Sequence, residues 1–411
     1  MGERHRSGRN IGGDARIGRD VTVSSSVATT ASVTAAASPL SSERLLDGVD
    51  AAALFTPFAL SGVELANRFV MAPMTRQFSP DGVPGEDVAG YYARRAEHVG
   101  LVVTEGTYVD HPSAGASDRV PRFYGDEALA GWRQVADAVH AVGGRIVPQL
   151  WHLGAGRTAG APPHPEAAVF SPSGLRPDGT VVGDEPSTAE IDEVVASFAR
   201  AAADARRAGF DGVELHGAHG YLLDQFFWPR TNRRADGYGG SLANRARIGA
   251  DVVAAVRGEV GPDFPVIYRF SQWKGADYDA RIAETPDELA ALLTPLADAG
   301  ATALHVSTRR YWLPAFDGSP RTLAGWAKNL TGLPTIAIGS IGVPTAFRGD
   351  HEGAVPTMSL APLLELFDRG EFDLVALGRV LLSDPAWTTK LRDGRLSEIR
   401  AYDQADGSRL T

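Results

Sequence analysis

The 411-residue chain contains no cysteine. That excludes disulfides, a thiolate nucleophile, cysteine-ligated zinc and iron–sulfur clusters. It fits a reducing compartment, and a cytoplasmic location is expected. No apolar run is long enough to span a bilayer, so no membrane partner is expected. A basic tract is also missing and the net charge is −10, which argues against nucleic acid as a partner. What is present is ordinary for a globular protein, 44% hydrophobic and 22% charged, with enough chain for a substantial core. Composition leaves monomer and homo-oligomer equally open.

The first segment, MGERHRSGRNIGGDARIGRD, carries five arginines. A Ser-, Thr- and Ala-rich stretch follows it without a continuous apolar region of the kind a signal peptide needs. Such a composition cannot bury a core. Residues 1–45 are therefore expected to form a disordered extension, and residues 46–411 a single domain.

Beyond Asp50 a pattern repeats, in which a short apolar, β-branched run precedes a longer Ala-rich run of helical period. The runs predict strands at 68–74, 101–106, 145–151, 212–217, 265–270, 303–307, 334–340 and 373–379. Helices are predicted between them. One runs through DEALAGWRQVADAVHAVGG to a Gly-Gly stop. Another opens at Ser187 or Thr188 as N-cap and ends near Gly209. A third, TPDELAALLTPLADAGA, should kink at Pro295. Eight βα repeats of nearly continuous apolar strands favour a closed (β/α)8 barrel of the TIM type over an open doubly wound sheet. No Gly-x-Gly-x-x-Gly follows the first strand, which weakens a dinucleotide-binding reading. The surplus chain falls after strands, at 152–186, 227–242, 271–284, 309–325 and 341–358. Extended βα loops are where a barrel builds its site.

Polar residues cluster at these strand ends: Thr75 and Arg76, Glu105 and Gly106, Gln149, Trp151 and His152, then His216, His219 and Tyr221, then Arg269. The seventh and eighth strands end in GSIG and LGR. Alone, GSIG is an ordinary turn. On strands 7 and 8 together, Gly339, Ser340, Gly378 and Arg379 make a phosphate site the better reading, because glycines admit close backbone approach and arginine adds a forked cation. Arg269 either pairs with Glu105 or Glu214 or stabilises charge on a ligand. His216 and His219 allow three readings: core histidines, a metal site with Glu214 or Asp224 as third ligand, or twin donors to a substrate oxygen. Tyr221 either packs with Leu222 and Phe226 or serves as a proton donor. Position alone does not separate these.

The motifs LANRFVMAPMTR, YYARRAEHVGLVVTEGTYV, PQLWHLG, DGVELHGAHGYLLDQFFWPRTNRRADGYGGSLANRAR and DLVALGRVLLSDPAW resemble the Old Yellow Enzyme family of FMN-dependent ene reductases. The resemblance covers about residues 52 to 395. It implies a (β/α)8 barrel holding FMN non-covalently, with NADPH or NADH as reductant and a small enone-type substrate. By motif, Pro73, Met74 and Thr75 would lie along the flavin. Gly106 and Gln149 would meet its pyrimidine side, and Arg269 would sit near N1 and O2. Gly339, Ser340, Gly378 and Arg379 would hold the phosphate. His216 and His219 would bind the substrate carbonyl, Trp151 would line the pocket, and Tyr221 would donate the proton. No resident metal is implied. Some members carry cysteine where this chain has Thr75, and branches with an iron–sulfur domain need cysteines absent here. Within the family, nitro compounds, nitrate esters or quinones are alternative substrates. Outside it, a metal-dependent hydrolase or aldolase using His216 and His219 is the competing class, and a non-catalytic FMN-binding barrel is a third.

Overall fold

A computed structural model describes residues 48–343, 354–355 and 357–411. The extension expected at 1–45 lies outside the described residues. A hairpin, β1 (Phe58–Leu60) and β2 (Val63–Leu65), precedes the first barrel strand β3 (Phe69–Met71). There follow β4 (Leu101–Tyr108), β5 (Ile146–Trp151), β6 (Val213–His219), β7 (Val266–Lys274), β8 (Ala303–Ser307) and β9 (Thr335–Ile338). A short β10 (Ala354–Val355) comes next, then β11 (Leu374–Leu377) and β12 (Tyr402–Asp403). The order β11-β3-β4-β5-β6-β7-β8-β9 closes a parallel barrel. β10 pairs antiparallel with β12 outside it.

The period-two alternation of each strand builds two cores. Outward residues such as Phe69, Leu215, Tyr268 and Leu304 join one cluster with the flanking helices. Inward residues such as Val70, Val103, Val147, Ile267 and Ala376 form a second cluster inside the barrel. Leu60 and Leu65 of the hairpin belong to that inner cluster, so the hairpin floors the barrel at the end where the strands begin. Further along, inward positions turn polar. Gln149 Nε2 donates to Glu214 Oε1 at 2.8 Å, and His305 Nδ1 meets Glu214 Oε2 at 2.7 Å. Burial raises the Glu214 carboxyl, but His305, Arg269 and the Gln149 hydrogen bond outweigh it and hold the group below its usual range.

The helices start where side chains satisfy their first N–H groups. Ser187 makes a reciprocal capping box with Glu190 ahead of Thr188–Arg207. Ser241, Thr285 and Thr322 cap Leu242–Val260, Pro286–Asp298 and Leu323–Thr331 in the same way. Pro295 falls in the last turn of helix Pro286–Asp298, which runs on through it although the ring supplies no N–H for the carbonyl four residues back.

Candidate active site

A cavity of about 680 Å3 opens where the barrel strands end. That size suits a site for small organic ligands. Pro73, Met74, Thr75, Gln149, Trp151, His216, His219, Tyr221, Arg269, Gly339, Ser340, Gly378 and Arg379 all line it. The barrel therefore brings together thirteen of the fourteen positions to which the family resemblance gave a role, while Glu105 and His152, also noted at strand ends, do not line the cavity. Gly106 is the exception. A Cβ there would stand 2.6 Å from the Trp151 ring and 3.3 Å from Gln149 Oε1. Gly106 thus shapes the cavity from behind, by making room for Trp151.

Register explains the grouping. His216 pairs with Arg269, and Arg269 with His305, across β6, β7 and β8. Neighbours in register on one barrel face point inward together. Neither carboxylate suggested as a partner for Arg269 lies at ion-pair distance from it among the described residues, although the charges of Glu214 and Arg269 stabilise one another. Glu214 is engaged by His305 and Gln149. Glu105 accepts the main-chain N–H groups of Arg76 at 2.7 Å and Gln77 at 3.1 Å. Burial pushes its carboxyl up to about 7, with those hydrogen bonds pulling the other way. Arg269 makes no ion pair among the described residues, and its buried Nε has no hydrogen-bond partner there. A buried donor of this kind is costly unless a ligand accepts from it.

Both histidines are neutral donors in waiting. Desolvation, reinforced by Arg269, holds His216 and His219 well below the usual imidazole range. Ala218 N–H approaches His216 Nδ1 at 3.4 Å, which places the proton of the neutral ring on Nε2. His219 sits at φ 65°, a strained conformation for a non-glycine residue. Its Nε2 lies 2.7 Å from Ser307 Oγ, and its ring stacks on Trp273 with centroids 4.5 Å apart. The Tyr221 ring stands edge-on to Trp151 at 4.8 Å and to His216 at 5.0 Å.

The loop carrying His219 and Tyr221 is tied down by a buried pair. Lys274 Nζ lies 2.7 Å from Asp224 Oδ1, both side chains being 0% exposed. Asp224 Oδ2 accepts the Gly220 N–H at 2.6 Å, and Gly275 N–H donates to His219 O at 2.9 Å. Asp224 and Glu214 are thus both committed, and no group of three or more His, Asp or Glu side chains among the described residues is placed to hold a metal. The donor set does not suit the metal-dependent alternative, which needs a third ligand.

Gly339 and Ser340 follow β9, beside Gly378 and Arg379, which follow the neighbouring β11 and open helix Arg379–Ser383. Gly339 has φ 153°, and a Cβ there would stand 2.5 Å from Thr308 Oγ1 and 2.8 Å from Tyr311 N. Arg310 Nη1 donates to Ser340 Oγ at 2.9 Å. The strand ends also bring in residues that the sequence did not single out: Trp273, Tyr278, Ser307, Thr308 and Arg309. From the C-terminal segment come Tyr402, Gln404, Gly407 and Ser408. Arg76 holds that segment, donating through Nη2 to the carbonyls of Arg409 at 2.6 Å and Gly407 at 3.1 Å. Four arginines (76, 269, 309 and 379) line the cavity, and no Asp or Glu does so among the described residues.

A glycine-rich, arginine-flanked end, an unpaired buried guanidinium and neutral imidazoles on one barrel mouth fit a phosphate-bearing, electron-accepting ring cofactor. The fold and site thus define a flavin-dependent (β/α)8 oxidoreductase. The sequence model of the NADH:flavin oxidoreductase / NADH oxidase family matches residues 53–398. The chain belongs to that family, the Old Yellow Enzyme family, whose cofactor is FMN and whose reductant is NADH or NADPH. It is 35% identical to 12-oxophytodienoate reductase 7 of Oryza sativa subsp. japonica, covering 83% of this chain and 88% of that one. It is 34% identical to an NADH oxidase of Thermoanaerobacter brockii over 84% of this chain. The match spans only about half, 52%, of that oxidase's length. A structure of morphinone reductase in complex with tetrahydroNAD superposes with a TM-score of 0.71 at 30% identity, covering 86% of this chain and 93% of the other. No helix among the described residues is long and apolar enough to cross a membrane.

Proposed function

We propose that this flavin oxidoreductase is an ene reductase, reducing the activated C=C bond of α,β-unsaturated carbonyl compounds with NADPH or NADH. The observation that carries the reading is the convergence of two neutral imidazoles and one phenol on the cavity that Arg269 also faces. When bound, FMN takes a hydride from the nicotinamide and supplies one to the β-carbon of the substrate. Pro73, Met74 and Thr75 would hold it along one side. Gln149 and Arg269 would meet its polar edge, with Gly106 acting through Trp151. Gly339, Ser340, Gly378 and Arg379 would hold its phosphate.

The remaining work falls to the protein's own side chains. His216, through Nε2–H, donates to the substrate carbonyl oxygen. His219 does the same through Nδ1–H when Ser307 gives its O–H to Nε2. As hydride reaches the β-carbon, negative charge grows on that oxygen. Two fixed donors strengthen against it, each by about 2.7–4 kcal/mol on the scale of oxyanion holes. Tyr221 gives its phenolic proton to the α-carbon, which completes the reduction. Trp151 walls the cavity beside both groups and excludes water from them.

The test is a visible spectrum of the purified protein, then anaerobic NADPH, then 2-cyclohexenone. A flavin band that bleaches with NADPH and returns with the enone is expected. A protein that stays colourless after incubation with FMN would overturn the cofactor roles given to these residues. A reduced protein reoxidised by quinones or nitro compounds but never by enones would overturn the substrate class.

A further inference from the structure

A single residue, Gly220, separates His219 from Tyr221, and the short helix Leu222–Phe227 fixes it from both sides. Asp224 Oδ2 accepts its N–H at 2.6 Å, and Gln225 Nε2 donates to its carbonyl at 2.7 Å. Asp224 is itself held by Lys274. Gln225 is a neutral amide, fully buried, and nothing in the reaction described above uses it. A buried amide is retained only where its donors and acceptor are satisfied.

The partners decide which way the amide faces. Nε2 also donates to Leu153 O at 3.3 Å, and Oε1 accepts the Ala155 N–H at 3.0 Å. Carbonyls accept and a main-chain N–H donates, so both amide protons and the amide oxygen are committed in one orientation. Leu153 and Ala155 belong to the turn that leaves β5, whereas Gly220 belongs to the turn that leaves β6. One side chain thus joins two strand ends. A Cβ on Gly154, at φ 60°, would run into that amide, so the join needs glycine there.

What the join surrounds is Tyr221. The carbonyl before it, Gly220 O, takes the Gln225 side chain, and its own carbonyl takes the Gln225 main-chain N–H at 2.8 Å. The turn from β5 lies against its ring, where a Cβ on Gly156 would stand 3.7 Å from Tyr221 Cε1. His152 O accepts the Leu222 N–H at 3.1 Å, and Trp151 meets the phenol ring edge-on at 4.8 Å.

We infer that Gln225 is a positioning residue for proton transfer: by fixing the carbonyls on either side of Tyr221 and the turn against its ring, it sets the phenol over the substrate α-carbon. In that transfer the Tyr221 O–H bond breaks as a C–H bond forms, and the phenolate takes its proton back from water. The inference rests on the ene-reductase reading and adds a residue to its last step.

The test follows the FMN-loaded enzyme by stopped flow, separating reduction by NADPH from reoxidation by 2-cyclohexenone. Gln225→Met removes the polar contacts of the side chain at similar volume. Reoxidation should slow about 10–100-fold, the cost of misplacing a group by roughly 1 Å, with reduction by NADPH and FMN affinity (read by flavin fluorescence) changed less than about two-fold. In a Tyr221→Phe background the same substitution should slow reoxidation hardly further, because its effect runs through the phenol. Gln225→Glu keeps the acceptor for Ala155 but turns an oxygen towards Gly220 O and Leu153 O. Only a protonated carboxyl can donate there, so reoxidation by this variant should recover, relative to the parent, as pH falls. If Gln225→Met does not hold FMN, the pH profile of Gln225→Glu decides. Equal slowing of both half-reactions, effects that multiply in full with Tyr221→Phe, or a Gln225→Glu rate that follows the parent's at every pH would each overturn the inference and leave the ene-reductase reading intact. A parent enzyme that reduces no enone overturns that reading, and the inference with it.

Discussion

The Lys274–Asp224 pair makes a sharp test of how the site is held. Both groups are fully buried at 2.7 Å, and Asp224 also takes the Gly220 N–H while Lys274 Nζ donates to Ser271 O at 3.1 Å. Lys274→Met removes one charge and leaves the other buried with a single main-chain donor. Breaking a buried pair from one side costs about 3–5 kcal/mol, a large part of the roughly 5–15 kcal/mol that stabilises a typical protein. The expected fall in melting temperature is on the order of 5–10 °C. Because the pair ties the loop of His219 and Tyr221 to the end of β7, substrate KM should rise too. The double variant Asp224→Asn/Lys274→Met keeps an acceptor for Gly220 and buries no charge. It should recover more than half of the lost stability. Thermal unfolding of the FMN-loaded protein by circular dichroism reads both. If Lys274→Met melts within about 1 °C of the parent, or the double variant melts at the sum of the singles, the pair does not carry the loop.

Other expectations are more local. Glu105 has its carboxyl raised from 4.5 to about 7, so the native state keeps a proton that the unfolded chain has already lost. Stability from this group should therefore be fully present below about pH 4.5 and decline by about 3 kcal/mol as pH rises to 7; denaturant unfolding of Glu105→Gln should show that slope removed. Gly339→Ala forces a Cβ to within 2.5 Å of Thr308 Oγ1 at φ 153°, so FMN affinity measured by flavin fluorescence should drop about ten-fold or more, from strain of roughly 1–3 kcal/mol. Tyr221→Phe should cut oxidation of the reduced enzyme by enone about 10²–10⁴-fold while leaving its reduction by NADPH in place, and full activity on every enone would remove Tyr221 from its role. Since burial and Arg269 hold both histidines well below the usual range, enone affinity should stay flat from about pH 6 to 8.

Much of this was legible because barrel strands are short, apolar and regularly spaced. The predicted strand at 303–307 coincides with Ala303–Ser307, and the others overlap their observed counterparts. The end of β7 was underestimated: the run was expected to stop at 270, but the strand continues to Lys274. The apolar run breaks at Ser271 and Gln272, and only pairing of Lys274 with His219 in the neighbouring strand carries the strand on. Trp273 and Tyr278 were missed for that reason. The hairpin of β1 and β2 went unread because three-residue strands are too short to show a period. Helix Glu86–Ala96 was not called either. The C-terminal wall had no local signal. Its contacts with Arg76 join residues 333 positions apart, and carbonyl acceptors can come from any residue type. Arg309 was in plain view in STRRYWLPAF, yet sequence could not say which of two adjacent arginines turns to Ser340 and which to Tyr278.

The floor of Leu60 and Leu65 has a kinetic meaning. The inward side chains fill the barrel and the hairpin packs under them, so the cavity opens only at the end where the strands stop. If the nicotinamide and the oxidising substrate share that one cavity, as the proposed function has it, each must leave before the other binds. Initial rates measured against both should then give parallel double-reciprocal lines, and excess of either reactant should slow the enzyme by occupying the cavity out of turn. A two-ended barrel would carry no such obligation.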